Sequence, residues 1–230
     1  PMAADRVEPG RSDEVAAGQS DHAQEDRVRT TVEIISAVLL SLATVLAAWS
    51  AFQSAKWSGV QATRFSQASA LRMESVRAST TAGDQEQVDV TLFAQWVNAY
   101  AAGNTRLATF YFERFRAEFK PAVDAWLATK PLSNPNAPSS PFAMPEYKLA
   151  QAGKANDLLA SAEGRTNLAL QANQNSDDYV LLTVLFASTL LFAGLASKFT
   201  ARAVQTAMTG LALVLLCAGI GFLAAFPRQF

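Results

Sequence analysis

The residue types that carry most enzyme chemistry are scarce in this chain of 230 residues. His22 is the only histidine and Cys217 is the only cysteine. Histidine-based proton transfer and the common zinc ligand sets need such residues in groups. The sequence also lacks a glycine-rich phosphate loop and a nucleophile elbow. We therefore predict a protein that is not an enzyme, with no catalytic residue, no cofactor and no metal ion.

Carboxylates are more numerous, but only one acidic pair has a position that points to a function. Asp177 and Asp178 come directly before the second of three long apolar runs. In an oligomer these side chains would form an acidic mouth that attracts cations. An oligomeric cation channel with an acidic entrance ring is therefore one alternative function. The apolar runs themselves contain no ionisable residue, which argues against an ion-coupled pump or a voltage sensor.

The elements that must position any such site are set by the apolar runs, which cover Ile34–Phe52, Val180–Ser197 and Ala203–Phe226. A helix needs about 20 apolar residues to cross the bilayer core, and each run is close to that length. The first run follows a long polar stretch and has no convincing cleavage site, so it does not read as a signal peptide. We predict an all-α membrane protein with transmembrane helices at residues 31–52, 179–198 and 203–226.

Two sets of residues on these helices indicate how they sit and pack. Aromatic residues are typical of the membrane–water interface, and four stand at the ends of the first two spans: Trp49, Phe52, Trp57 and Tyr179. Small residues let another helix backbone approach closely. Five of them recur at three- and four-residue spacing from the end of the first span onward: Ala48, Ala51, Ala55, Gly59 and Ala62.

Residues 53–178 are predicted to form a helical domain outside the membrane. The first and second spans continue into this domain without a strong break, and we expect the two long helices to pair antiparallel as a stalk. The first long helix should end near Gly83, with Asp84 capping the next helix, which ends at Gly103-Asn104. The remaining shorter helices cap the stalk.

The rest of the domain is divided by prolines. A helix is predicted at residues 105–119, and a short helix should begin at Pro121. Five prolines exclude regular helix from residues 131–146, which we expect to form a loop that packs back on the domain or on a partner. Residues 1–30 are polar and are predicted to be a disordered tail.

The aromatic residues of this middle region are the candidate surface for a partner or a ligand. Most of them fit a helix core, but an outer domain that binds a small ligand would make the protein a membrane sensor, which is a second alternative. The candidate residues are Trp96, Tyr100, Phe110, Tyr111 and Phe142.

Charge decides the expected orientation. The net charge of −1 gives no reason to expect nucleic acid. Lysine and arginine near span ends favour the cytoplasmic side. Arg27, Arg29, Lys198 and Arg202 mark the side of the N-terminus, against Lys56 and Arg228 on the other side. We predict a cytoplasmic N-terminus and a helical domain outside the cytoplasm.

The sequence AAWSAFQSAKWSGVQATRFSQA, the later NSDDYVLLTVLFASTLLFAGLASKF and the final apolar run together resemble a family of bacterial inner-membrane proteins of unknown function. The likeness covers most of residues 31–226, and its clearest markers are Trp49, Gln53, Trp57 and the Asp178-Tyr179 pair. The resemblance implies three spans and the inner membrane, but no activity. The small-residue helix face, the stalk and the aromatic cap, together with the lack of a catalytic set, lead us to expect a structural or scaffolding protein that acts in the bilayer as a homo-oligomer or as an accessory subunit of a larger membrane complex.

Overall fold

The computed structural model of the chain describes residues 10–199 and 201–229, with side chains from residue 30 onward. All regular structure over these residues is helical. The helices are α1 (Gly10–Ala101), α2 (Thr105–Glu113), α3 (Lys120–Ala128), α4 (Ala150–Ala196) and α5 (Arg202–Ala225), with one 3-10 turn at Pro141–Ala143. The predicted all-α fold class is confirmed.

Three of these helices, α1, α4 and α5, are long and apolar enough to cross a membrane. Their length and composition confirm the three candidate spans and indicate a multi-pass membrane protein. The stalk and its capping helices, as an arrangement of the whole domain, stay a prediction.

The chain divides into two compact units, and both α1 and α4 contribute residues to each of them. The first, here called the span unit, contains α1 up to Gln61, α4 from Leu170 onward, and α5. The second, here called the aromatic unit, runs from Ala62 to Ala169 and contains α2 and α3.

In the span unit, the three helices share one apolar core. It includes Leu39 and Ala43 of α1, Tyr179, Leu182 and Phe186 of α4, and Ala212 and Leu216 of α5. Gly219 allows α5 to lie close to α4, because a β-carbon at this position would be only 2.5 Å from Cε1 of Phe186. Cys217 of the same helix is exposed. Small hydroxyl residues join α1 to α4: Ser176 Oγ lies 3.0 Å from Ser54 Oγ and 2.9 Å from Ser58 Oγ.

In the aromatic unit, two series of interior residues, one on α1 and one on α4, recur every seven positions. They are small: Ala68, Ser75 and Ala82 on α1, and Ala155, Ala162 and Ala169 on α4. Seven-residue spacing is typical of helices packed along their length. The hydroxyl of Ser75 donates to the carbonyl of Ala155 at 2.7 Å, and Nη2 of Arg72 donates to Thr166 Oγ1 at 2.9 Å. Higher numbers on α1 therefore meet lower numbers on α4, as in an antiparallel pair.

The predicted helix end at Gly83 is wrong, because α1 continues to Ala101. A glycine inside a helix costs only about 1 kcal/mol relative to alanine, and packing on either side of it offsets that cost. Asp84 is consequently inside the helix and does not cap one. The predicted end at Gly103 is confirmed, since Gly103 has a φ of +69° and the side chain of Asn104 caps α2.

The helix predicted at residues 105–119 is also too long, because α2 ends at Glu113. The chain turns after that residue, and Phe115 and Phe119 are both buried in the connection between α2 and α3. The short helix with Pro121 in its first turn is confirmed as α3. The predicted continuity of the last long helix into the second span is confirmed by α4.

The predicted disordered tail at residues 1–30 is corrected in part. Residues 1–9 lie outside the described residues, and α1 begins at Gly10. The sequence has no proline between Pro9 and Pro121, so nothing covalent interrupts the helix over that distance.

Candidate functional site

A buried carboxylate, Asp89 of α1, organises the polar contacts of the aromatic unit. Its side chain has no exposed surface. Arg116, in the connection between α2 and α3, donates from Nε to Oδ1 at 3.0 Å and from Nη2 to Oδ2 at 2.8 Å. The hydroxyl of Tyr147 donates to Oδ2 at 3.2 Å, and Arg116 Nη1 donates to Glu118 at 2.8 Å. This polar cluster fixes the α2–α3 connection and the segment before α4 to α1.

The surroundings of the polar cluster favour the protonated forms of its two hydrogen-bond donors, Arg116 and Tyr147. The hydrogen bond to Asp89 raises the pKa of Arg116, against the opposing effect of burial. Burial raises the pKa of Tyr147 above its usual value, and the charge of Asp89 adds to the increase. Both side chains therefore keep the protons that they donate to Asp89 over the whole neutral range. The chemistry that this cluster supports is charge-assisted anchoring.

Around the polar cluster lies a group of stacked and edge-to-face rings, here called the aromatic cluster. Its members are Phe93, Trp96, Phe115, Phe119, Trp126, Phe142 and Tyr147. The proline-rich loop packs against it, as Trp126 Nε1 donates to the carbonyl of Pro138 at 2.7 Å and Phe142 stacks on Phe119 with centroids 5.1 Å apart. The loop thus packs on the domain, one of the two outcomes expected for it.

Two apolar cavities lie beside the stacked rings of Trp96 and Tyr100, whose centroids are 4.9 Å apart. The first, of about 270 Å³, lies against Trp126 and the turn at residues 130–133. The second, of about 290 Å³, lies against α2 and includes Ala108 and Phe112. Ligand sites in proteins start at roughly 300 Å³, so each cavity has room for a small molecule only.

The five residues predicted as a partner or ligand surface do not form one surface. Trp96 is buried and lines both cavities, together with the half-exposed Tyr100. Phe142 belongs to the aromatic cluster, and Tyr111 packs against it. Phe110 is exposed and lies under the guanidinium of Arg114, 3.4 Å from the ring centroid.

Three side chains of the span unit hold the backbone that follows α5, and we call them the backbone clamp: Gln53, Trp57 and Tyr179. The fully buried amide of Gln53 donates to the carbonyl of Gln229 at 3.0 Å and accepts from its N–H at 2.9 Å. Trp57 Nε1 and the Tyr179 hydroxyl both donate to the carbonyl of Pro227, at 3.1 and 3.0 Å. The clamp ties α1 and α4 to the end of the third candidate span.

The four residues predicted at the membrane interface therefore fall into two pairs. Trp57 and Tyr179 belong to the backbone clamp, and Tyr179 is buried. Trp49 and Phe52 are exposed, with ring centroids 5.7 Å apart. Exposed aromatic rings beside an apolar span are typical of an interface, but the interface role of all four stays a prediction.

The predicted packing face of small residues is exposed within the chain. Every one of its members lies outward: Ala48, Ala51, Ala55, Gly59 and Ala62. The contacts inside the span unit use a different face of α1, which carries the buried Ala43, Ser50 and Gln53. The chain's own helices do not cover the predicted face, and its role in helix packing stays a prediction.

The acidic pair lies on α4, where Asp177 accepts a hydrogen bond from Asn173 Nδ2 at 2.9 Å on its own helix. Asp178 is half-buried. An acidic ring needs several copies of the chain, so the channel alternative stays a prediction. Among the described residues, no group of three histidine, cysteine or acidic side chains is placed to hold a metal ion.

The sequence interpretation missed Asp89, Arg116 and Tyr147 as a unit. A signal was present, because Asp89 stands seven residues after Ala82 and seven before Trp96, both of which are buried. A charged residue in register with buried neighbours requires a partner. Gln53 carries a similar signal, because it is buried and lies seven residues after Leu46, which packs against the apolar core.

No family model, curated protein or solved structure matches this chain. The resemblance to bacterial inner-membrane proteins of unknown function therefore stays a prediction.

Proposed function

We propose that this chain is a non-enzymatic integral membrane protein with a structural or scaffolding role, either as a homo-oligomer or as an accessory subunit of a larger membrane complex. The observation that carries the proposal is the uncovered small-residue face of α1. Ala48, Ala51 and Ala55 are exposed, whereas the chain's own helix contacts use the face of Ala43 and Ser50.

Such a face favours helix association for a physical reason. Lipid tails are about as apolar as leucine, so burying apolar surface between helices gains little inside the bilayer. Close van der Waals packing supplies the attraction instead, and small residues permit that packing. Alanines offer little contact to lipid and a shallow groove to another helix, which supports a partner on this side of α1.

The proposed location is the bacterial inner membrane, with the N-terminus in the cytoplasm and the helical domain on the other side. The excess of arginine and lysine near the ends of the spans on the N-terminal side supports this orientation. Cysteine substitution of the exposed Lys148, in a Cys217→Ala background, tests it with a membrane-impermeant maleimide. Labelling in intact spheroplasts is expected, and labelling only after lysis would contradict the orientation.

The scaffolding role is tested by gentle purification from the native membrane, followed by mass measurement in nanodiscs. We expect a particle that holds several copies of the 24.6 kDa chain, or one that holds further proteins. A single copy with no co-purifying protein would refute the proposal.

A pair of variants separates the small-residue face from a general effect of bulk. Ala51→Phe places a large ring in the proposed contact and should shift the particle toward a single chain. Leu42→Phe adds bulk at an exposed position on the opposite side of α1 from Ala51 and should leave the particle unchanged. Equal particle sizes for the two variants would remove the small-residue face from the proposal.

A further inference from the structure

The cavity of about 270 Å³ in the aromatic unit combines apolar walls with two hydrogen-bond donors that no described residue pairs. Trp96, Tyr100, Trp126 and Leu132 supply aromatic and aliphatic walls, and Lys130 supplies a cation. We propose that this cavity binds a small aromatic carboxylate. The proposal concerns the aromatic unit and does not depend on the scaffolding role.

The first donor is the indole N–H of Trp96. The Trp96 side chain is only 4% exposed, yet its indole makes no hydrogen bond with any of the described residues. By contrast, the indole of Trp126 donates to the carbonyl of Pro138 at 2.7 Å. The indole nitrogen of Trp96 is not among the buried unpaired polar atoms, so it is open to solvent, and an acceptor on a ligand can replace water at this N–H.

The second donor is the ammonium group of Lys130. Over the described residues, this side chain forms no ion pair with a carboxylate. An unpaired cation at the wall of an apolar cavity selects for an anion, and a carboxylate can accept from both donors at once.

The backbone of Lys130 has a left-handed conformation, which is uncommon for a residue other than glycine. Lys130 follows the end of α3 with a φ of +54°, the one positive φ at a non-glycine residue in the described chain. Its N–H donates to the carbonyl of Leu127 at 3.0 Å. Glycine is the residue that normally occupies this position after a helix. Strained backbone of this kind is concentrated at binding sites.

Leu132 adds exposed apolar surface to the wall of this cavity. It is 77% exposed, the most exposed of the large apolar side chains that the structure describes, and it lines the same cavity. A ligand ring between Leu132 and the aromatic walls would remove this apolar surface from water. The size of the cavity limits the ligand to one or two fused rings.

The experiment uses the full chain in nanodiscs with indole-3-acetate as the probe and its neutral amide, indole-3-acetamide, as the matched ligand. Ligand-observed NMR titration measures both affinities, with empty nanodiscs as the blank. From the usual binding energy per ligand atom, we expect a Kd of about 1 mM or tighter for the acid. The amide should bind at least about tenfold more weakly, because it lacks the charge that Lys130 recognises.

Variants assign the effect to the two donors. Lys130→Gly should weaken binding of the acid by about tenfold or more, while the thermal midpoint without ligand stays equal or rises, because glycine relieves the positive φ. Lys130→Arg keeps the cation and should restore most of the affinity. Trp96→Phe keeps an aromatic ring, removes the N–H, and should weaken the acid more than the amide. Lys148→Gln is the control for a lysine elsewhere in the unit and should change nothing.

Three results would overturn the proposal. The first is equal affinity for the acid and the amide. The second is unchanged affinity in Lys130→Gly, which would show that the cation has no part in binding. The third is failure of the acid to bind at roughly ten times the expected Kd. Because the thermal midpoint of Lys130→Gly is expected to equal or exceed that of the wild type, loss of binding in this variant cannot be caused by unfolding.

Discussion

Asp89→Asn is the most informative perturbation of the aromatic unit, because it keeps the shape of the side chain and removes only its charge. The wild-type carboxylate is fully buried and accepts two hydrogen bonds from Arg116 and one from Tyr147. An asparagine can accept at one oxygen only, and its amide nitrogen would face a donor.

The expected loss of stability follows from these contacts. Breaking a buried ion pair by removing one partner typically costs about 3–5 kcal/mol, because the other charge is left uncompensated. Arg116 is 22% exposed and keeps its bond to Glu118, so water and that carboxylate compensate part of the loss. We therefore expect the lower end, about 3 kcal/mol. For a unit of this size, that corresponds to a fall of roughly 10–15 °C in the thermal midpoint.

The assay is thermal unfolding followed by tryptophan fluorescence in nanodiscs, since Trp96 and Trp126 both belong to the aromatic cluster. The matched control is Glu74→Gln, which breaks the ion pair between Glu74 and Lys154. Those side chains are 51% and 53% exposed, and such surface pairs contribute about 0–1 kcal/mol. If Asp89→Asn lowered the midpoint no more than Glu74→Gln, the anchoring role of Asp89 would be refuted.

Three further predictions concern other contacts. Gly219→Ala should destabilise the span unit by about 1–3 kcal/mol, because its β-carbon would lie 2.5 Å from the Phe186 ring, whereas Gly221→Ala meets no atom within 4 Å; equal thermal midpoints would contradict this. Gln53→Leu should release the backbone after α5 and speed amide exchange at Gln229 by about tenfold, as expected for one lost hydrogen-bonded pair; unchanged exchange would exclude the clamp. Because the folded pKa of Tyr147 is raised above its unfolded value of about 10, its contribution to stability is present below pH 10 and is lost as the pH rises further. The stability difference between wild type and Tyr147→Phe should therefore shrink above pH 10, and a constant difference from pH 8 to 11 would contradict it.

The features that could be predicted from the sequence depend on local signals. The three candidate spans follow from uninterrupted apolar runs, and the start of α3 follows from Pro121. The end of α1 follows from Gly103, where a positive φ is needed. In each case, a few adjacent residues determine the outcome whatever the rest of the chain does.

The features that were missed depend on contacts between distant residues. Gly83 resembles a helix end as much as Gly103 does, and only packing keeps the helix continuous there. α1 carries small residues on two faces, and the sequence alone does not say which face meets α4. The pairing of Asp89 with Arg116 and Tyr147 needs the turn after α2, whose position was itself mispredicted.

The backbone clamp has a consequence for the time course of biosynthesis. Gln53 and Gln229 are 176 residues apart, and the contact between them joins the first candidate span to the segment after the third. At the usual 5–20 residues per second, the ribosome adds Gln229 roughly 9–35 s after Gln53. Throughout that interval the amide of Gln53 has no access to its native partner, so a chaperone, lipid headgroups or water must satisfy it. Until Gln229 is made, the nascent span unit therefore lacks the contact that ties α1 to the segment after α5, even though the first two candidate spans are already complete.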